Sequence, residues 1–112
     1  SFYVAERGRL KLRRLFNYPN PFTTSTRFFF EHNQPGQPLE ARIAIYTLSG
    51  RLVKVISTPI TSHLNLSQEI SWDGLDEYGD RLGRGVYLYR LEVRNTLTGE
   101  TAHAQEKLVI LR

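Results

Sequence analysis

The sequence contains no cysteine and no methionine among its 112 residues. Without cysteine there is no thiol nucleophile, no thiolate metal ligand and no disulfide framework, and the compartment stays open because oxidising environments permit disulfides without requiring them. Without an initiating methionine, the sequence is expected to be a fragment of a larger protein. No apolar run approaches the ~18 residues that a membrane span needs. The chain is therefore expected to fold by burying apolar side chains, for which its length suffices.

The formal charge is +4 at pH 7, and the basic residues cluster only within residues 7–14, where apolar residues separate them. We interpret this run as the solvated face of a strand, because no nucleic-acid-binding motif accompanies it. Residues 1–8 are interpreted as a linker or a cloning remnant, with part of a first strand as the alternative. Residues 9–112 are interpreted as one domain, and no nucleic acid is expected as a partner.

Glycine and proline separate short segments that are rich in Phe, Tyr, Val and Ile. Such segments predict about seven strands. They lie near residues 10–16, 26–33, 41–48, 52–56, 68–72, 86–93 and 104–111. The clearest hairpin joins the third and fourth segments through Ser49 and Gly50, with Ile43 and Ile45 pointing inward. Because no segment has a helical period, the pattern predicts an all-β, immunoglobulin-like antiparallel β-sandwich of about seven strands.

Catalytic and metal-binding patterns are weak. His32, His63 and His103 fall in different segments, and none has a carboxylate or a second histidine at a metal-ligand spacing. There is no G-x-S-x-G motif, although a Ser-His-Asp arrangement is defined by geometry and stays open. The acidic residues 73–80 do not follow the EF-hand spacing, so we interpret them as a structural loop with calcium binding as the alternative. We expect no catalytic residue, no metal site and no cofactor.

Six Tyr, six Phe and one Trp could stack on sugars if they were exposed. Most of them alternate along predicted strands, so burial in the core is the preferred interpretation. Phe28, Phe29 and Phe30 make their strand apolar on both faces, as expected between two sheets or beneath a loop. An adhesion or carbohydrate-binding module therefore stays as an alternative function. An enzyme would additionally require polar residues that converge in a cleft.

The C-terminal segment, residues 106–112, is a strongly apolar and β-prone strand. A strand at the edge of a sheet has unpaired N–H and C=O groups to which another protein can add a strand, and Lys107 and Arg112 would limit non-specific pairing. The alternative is a closing strand buried within the domain, and the two are compatible if one edge stays free.

Several sequence blocks together carry a family resemblance. They are N-Y-P-N-P-F at residues 17–22, I-Y-T-L-S-G-R-L-V at 45–53, W-D-G at 72–74, G-V-Y-L-Y-R-L at 85–91 and K-L-V-I-L-R at 107–112. In this order they resemble the C-terminal sorting domains of the type IX secretion system. The third and fourth blocks also occur in Ig-like domains of flagellar hook-capping proteins, which are assembly domains, and the terminal block favours secretion.

Two departures from the family pattern affect only turn details. Thr47 stands where the family often has Asp, and Thr23-Thr24 replace a common Asn-Pro. A finer likeness lies in F-F-F-E-H-N at residues 28–33 and in the loop that follows, which resemble the C-terminal domain of the sortase of this system.

The resemblance implies a non-catalytic signal or anchor domain that is recognised during outer-membrane translocation. Its implied partners are the outer-membrane shuttle protein PorV and the type IX translocon, with no direct membrane insertion and no small-molecule ligand. Its implied location is the cell surface, associated with the outer membrane, after passage through the periplasm. In ordinary cargo the sortase removes such a domain. In the sortase itself the domain would be retained for shuttle binding, and the cysteine peptidase machinery would lie upstream.

We place the predicted partner-binding surface on the terminal strand and on the segment expected beside it. Its residues are Lys107, Leu108, Val109, Ile110, Leu111 and Arg112, supported by Gly85, Val86 and Tyr87. Deleting the last few residues is expected to abolish partner binding while leaving most of the fold.

Overall fold

The computed structural model describes residues 9–112, so the interpretation of residues 1–8 lies outside the described residues. Seven strands follow in chain order: β1 Leu12–Tyr18, β2 Thr26–His32, β3 Leu39–Thr47, β4 Leu52–Pro59, β5 Ile70–Trp72, β6 Gly85–Asn95 and β7 Thr101–Ile110. They match the seven predicted segments. Residues 9–112 include no helix that is long and apolar enough to cross a membrane.

The strands form two antiparallel sheets, one in the order β1-β2-β5 and the other in the order β4-β3-β6-β7. This division of three strands against four is that of an immunoglobulin-like sandwich, so the predicted fold class is confirmed. The four-stranded sheet carries the long strands, and β7 lies at one of its edges.

The core lies between the sheets and is built from alternate residues of each strand. In β6, every second residue from Tyr87 to Asn95 is buried, which is the pattern of a strand with one solvated face. Across the sandwich, the ring of Phe28 packs edge-on against that of Tyr89, with 4.8 Å between the centroids. Phe30 is also fully buried. The predicted burial of strand aromatics holds for these residues.

The predicted hairpin is confirmed. Strands β3 and β4 pair with Ile43 opposite Ile56, and both Ile43 and Ile45 are fully buried. The turn contains Gly50 at φ 94°, a left-handed conformation that glycine adopts without steric cost.

A β-bulge interrupts β1 and changes which of its residues face the core. Arg14 has φ 55°, and the pairing with β2 shifts between Arg13 and Phe16. As a result Leu15 is buried, whereas Phe16 is 39% exposed and stacks on Phe29 at 5.1 Å. Phe29 alternates with the buried Phe28 and Phe30 and is half-buried on the outer face of its sheet, so the expectation that it lies between two sheets is wrong.

Candidate functional site

The two segments of the predicted binding surface do lie side by side. Strand β7 pairs with β6 so that Val86 is opposite Val109 and Tyr87 is opposite Leu108. The side chains alternate, however, and both Leu108 and Ile110 are fully buried in the core. The outward residues of β7 at this end are Lys107 and Val109, and Leu111 follows the strand with 48% exposure.

The outer edge of β7 is covered near its C-terminal end by the segment from Asn20 to Phe22. The backbone N–H of Phe22 donates to the Val109 carbonyl at 3.0 Å, and the N–H of Leu111 donates to the Phe22 carbonyl at 2.8 Å. The side chain of Asn20 accepts from the Val109 N–H at 3.0 Å and donates to the Lys107 carbonyl at 3.2 Å. The expectation of unpaired backbone groups is thus wrong at this end, because a side chain and a loop already occupy them.

In the first half of the same edge, the described residues form no such backbone hydrogen bonds. In an antiparallel strand, alternate residues direct their N–H and C=O groups to the same side. The N–H and C=O groups of Lys107 and Val109 point toward the Asn20 segment, on the side of β7 away from β6. By the same alternation, the N–H and C=O groups of Thr101, His103 and Gln105 also point to that side. Within residues 9–112, no backbone hydrogen bond reaches the outer edge of these three residues.

The last side chain of the sequence is held by the W-D-G motif. The guanidinium of Arg112 donates from Nη2 to the Gly74 carbonyl at 3.1 Å, and Arg84 donates to the Arg112 carbonyl at 3.3 Å. Gly74 has φ 76°, and a Cβ built there would lie 2.7 Å from Arg112 Nη2. The motif therefore needs glycine both for its backbone conformation and for the space that the arginine occupies.

The other two residues of W-D-G support this contact. The ring of Trp72 packs edge-on against Phe22 at 5.7 Å and its Nε1 donates to the Leu75 carbonyl at 3.0 Å. Asp73 accepts from the Leu75 N–H at 3.1 Å.

Asp76 accepts in the same way from the N–H groups of Tyr78 and Asp80, both at 2.9 Å. These two carboxylates therefore stabilise turns, and in the part of the chain that the structure describes no three His, Asp or Glu side chains are grouped to hold a metal ion.

The N-Y-P-N-P-F motif is anchored in the core by Asn17. This buried amide accepts from the hydroxyl of Tyr89 at 3.1 Å and from Nδ2 of Asn20 at 3.1 Å, and it donates to Thr26 at 3.1 Å. Burial raises the pKa of Tyr89, and the charge of Glu106 raises it further, so the phenol is a neutral donor.

Four of the sequence blocks thus meet at one end of the sandwich. We call this arrangement the terminal clasp. It comprises Asn17, Asn20, Phe22, Gly74, Tyr89 and Arg112 around the end of β7.

The outer face of the four-stranded sheet is apolar at the same end. One row of paired residues runs across the strands as Leu52, Tyr46, Leu88 and Lys107. The next row contains Val86 and Val109. We call Tyr46, Leu52, Val86, Leu88 and Val109 the outer apolar face. Sequence reasoning missed Tyr46, Leu52 and Leu88, although apolar residues at both alternating positions of β6 were a signal for them.

The histidines lie on different elements. His32 is buried in β2, where its Nδ1 accepts from the Gln34 N–H at 3.1 Å, and burial lowers its pKa, with a smaller opposite effect of the Leu64 backbone. His63 lies in the loop between β4 and β5. His103 is on the outer face of β7, 3.2 Å from Glu92.

A scan against family models and a search of curated proteins found no match. Among solved structures, the chain is similar to dimeric latent PorU from Porphyromonas gingivalis, with 30% identity and a TM-score of 0.78 over 93% of this chain and 10% of that chain. A β-glucuronidase from Parabacteroides merdae matches with 7% identity and a TM-score of 0.62, over 91% of this chain and 14% of the enzyme.

PorZ, a surface component of the type IX secretion system of Porphyromonas gingivalis, matches with 18% identity and a TM-score of 0.44, over 88% and 11% of the two chains. The likeness to the glucuronidase shows a shared fold alone, and the likeness to PorZ is too distant to add to it. The chain spans about a tenth of the length of PorU. The PorU match confirms the resemblance that the motif blocks indicated.

Proposed function

We propose that this chain, a type IX secretion-associated domain similar to part of PorU, is a non-catalytic signal or anchor domain that the secretion machinery recognises in its folded state. Recognition would direct outer-membrane translocation and surface attachment. The proposed partners are PorV and the translocon. By likeness to PorU, which we take to be the sortase of this system, the domain is retained for shuttle binding. Residues 9–112 would form this domain.

The observation that carries the proposal is the terminal clasp. A folded signal needs an exposed element held in one conformation by a rigid scaffold. The clasp fixes both the backbone edge of β7 and the side chain of Arg112. What remains for a partner to contact is the set of outward side chains, above all Lys107, Val109 and Leu111, with Val86 beside them. Recognition is thus expected through side chains and not through addition of a strand at this end.

The structure changes the design of the decisive experiment. Deletion of residues 108–112 removes two fully buried core side chains, Leu108 and Ile110. Such a deletion is expected to unfold the domain, so a loss of binding would not identify the surface. Substitution of outward residues avoids this difficulty.

The test is a titration of the chain against purified PorV, with the variants Lys107→Glu and Val109→Glu. Each is expected to weaken binding about tenfold or more. Lys107→Glu reverses a charge in the contact, and Val109→Glu places there a carboxylate that would lose its water on binding. Thr101→Glu, at the opposite end of the same strand, is the matched control, and thermal melts verify that all variants are folded. Absence of binding by the unsubstituted chain would overturn the proposal.

A second candidate function rests on exposed aromatic rings of the other sheet. Phe16 and Phe29 stack at 5.1 Å on its outer face, and Tyr18 is 63% exposed on the same strand as Phe16. Rings presented in this way can stack on sugars, as in a carbohydrate-binding module. A glycan screen tests this candidate, which requires binding that Tyr18→Ala abolishes and Val109→Glu leaves intact.

A further inference from the structure

We infer that the outer apolar face is the docking surface for a protein that presents an apolar patch bordered by carboxylates. The inference rests on the proposed function and extends it. It moves the contact from the terminal strand alone to a surface shared by all four strands of the larger sheet.

The register shows that the five side chains are neighbours. Leu52 is paired with Tyr46, Tyr46 with Leu88, and Leu88 with Lys107, so these residues form one continuous row on one side of the sheet. Directly paired residues of antiparallel strands have Cβ atoms about 4.5–5.5 Å apart, which is contact distance for side chains of this size. Val86 and Val109 extend the row toward the chain end.

This face departs from the usual pattern of a sandwich. An outward sheet face is normally polar, and β6 follows that pattern at its far end with Glu92 and Arg94. At the clasped end, the corresponding outward positions are Val86 and Leu88. Val86 is 39% exposed and Leu52 is 47% exposed, whereas Tyr46, Leu88 and Val109 are half-buried. A contiguous exposed apolar patch with a polar border is characteristic of an interaction site.

The charges around the face indicate the chemistry of its occupant. Lys107 lies within the row, and Arg90 is the next outward residue of β6 beyond Leu88. At the far end of the sheet, Arg94 is 3.9 Å from Glu40, and His103 is 3.2 Å from Glu92. Among the ion pairs of residues 9–112, by contrast, none involves Arg90 or Lys107. Two uncompensated cations beside an apolar patch favour a partner that supplies carboxylates there.

The terminal clasp explains why the face is accessible while the strand edge is not. Asn20 and Phe22 occupy the backbone edge of β7 but bond in the plane of the sheet. The outward side chains of Val109 and Lys107 project perpendicular to that plane. Docking on the face therefore requires no opening of the clasp.

The test compares Leu88→Glu and Arg90→Glu with Leu97→Glu, in titrations of the whole chain against PorV. Leu97 is 76% exposed in the turn between β6 and β7, so it controls for adding one negative charge to an exposed position. Each face variant is expected to weaken binding about tenfold, and the control to stay within about twofold. Raising the salt from about 50 mM to about 300 mM should weaken the unsubstituted chain and have less effect on Arg90→Glu, because screening and the substitution act on the same charges.

Thermal melts show whether Leu88→Glu is folded. If it is not, Leu52→Ser replaces it, because that side chain is about half exposed. Binding by the unsubstituted chain that both face variants retain would overturn this inference and leave the proposed function standing. No binding by the unsubstituted chain would overturn both. Self-association of the chain that Leu88→Glu abolishes, with PorV binding retained, would assign the face to a second copy and also overturn the inference.

Discussion

The hydroxyl of Tyr89 donates a hydrogen bond of 3.1 Å to Oδ1 of Asn17, across a sequence separation of 72 residues. Both residues are buried, so each provides the polar partner that the other needs in the core. This bond joins the central strand β6 to the motif whose next asparagine, Asn20, covers the end of β7. The position of the terminal strand is therefore coupled to the centre of the core.

Tyr89→Phe tests that coupling. The substitution removes the donor while keeping the ring, and it leaves a buried acceptor of Asn17 with one fewer partner. We expect the free energy of unfolding to fall by about 1–2 kcal/mol. Urea titration measures the effect, with Tyr78→Phe as the control because Tyr78 is 90% exposed. Equal stability of the two variants would contradict the role of the bond.

Gly74→Ala is expected to be more destabilising than Gly79→Ala. Both glycines have positive φ, 76° and 83°, so alanine introduces similar backbone strain at each. A new Cβ at Gly74 would clash with Arg112 Nη2 at 2.7 Å, and it would make ordinary contacts with Phe22 Cε2 at 3.4 Å and the Thr24 carbonyl at 3.6 Å. Nothing lies within 4 Å of a Cβ at Gly79.

The expected difference is about 1 kcal/mol, the size of the hydrogen bond that Arg112 would lose. Thermal or urea unfolding measures it. In the background of Arg112→Ala the difference between the two glycine variants should disappear, and its persistence there would show that the arginine is not its cause.

Acidification is expected to destabilise the domain through His32. Its ordinary pKa is 6.5 and burial lowers that value in the folded state. The unfolded chain therefore binds a proton near pH 6.5, while the folded chain binds it only at lower pH. The stability that results from the neutral His32 is complete above the unfolded pKa of 6.5, and it is lost as the pH falls through the folded pKa. Protonation of Nδ1 would also break the hydrogen bond from the Gln34 N–H.

His32→Asn keeps an acceptor near the position of Nδ1 and removes the titrating group. Melting temperatures measured from about pH 7.5 to about pH 5 should fall less steeply for this variant than for the unsubstituted chain. His63→Asn, which replaces an exposed histidine, should keep the steep fall. Parallel curves for His32→Asn and the unsubstituted chain would exclude His32 as the cause.

Neighbouring residues at the chain end are expected to differ sharply in their effect on stability. Ile110 is fully buried, whereas Leu111 is 48% exposed. Ile110→Ala should lower the free energy of unfolding by about 2–5 kcal/mol, and Leu111→Ala by well under 1 kcal/mol. Chemical denaturation distinguishes the two. A small effect at Ile110 would contradict the conclusion that the last residues belong to the core.

The strands were predictable because each carries a local signal. Alternation in β6 and the Ser49-Gly50 turn are readable without knowledge of the neighbouring strands, since strand period and turn chemistry are local. The adjacency of β6 and β7 was also predicted, from the family resemblance. The burial of Leu108 and Ile110 follows from alternation once it is known which face of β7 is inward.

The cover on β7 was not predictable in the same way. It depends on Asn20, which is distant from Val109 in the sequence and looks like a turn residue beside two prolines. The bulge at Arg14 has no glycine or asparagine to mark it, so the exposure of Phe16 was hidden as well. Both features depend on long-range packing, which overrides local propensity.

The burial of Leu108 and Ile110 also has a consequence for the order in which the domain is made. A ribosome completes β7 after every other strand, and only then can β6 acquire its second neighbour and the core its final side chains. A polypeptide truncated before Leu108 would lack those side chains and would expose the apolar positions that they cover. The folded state of this domain thus reports that the chain has been synthesised through Ile110.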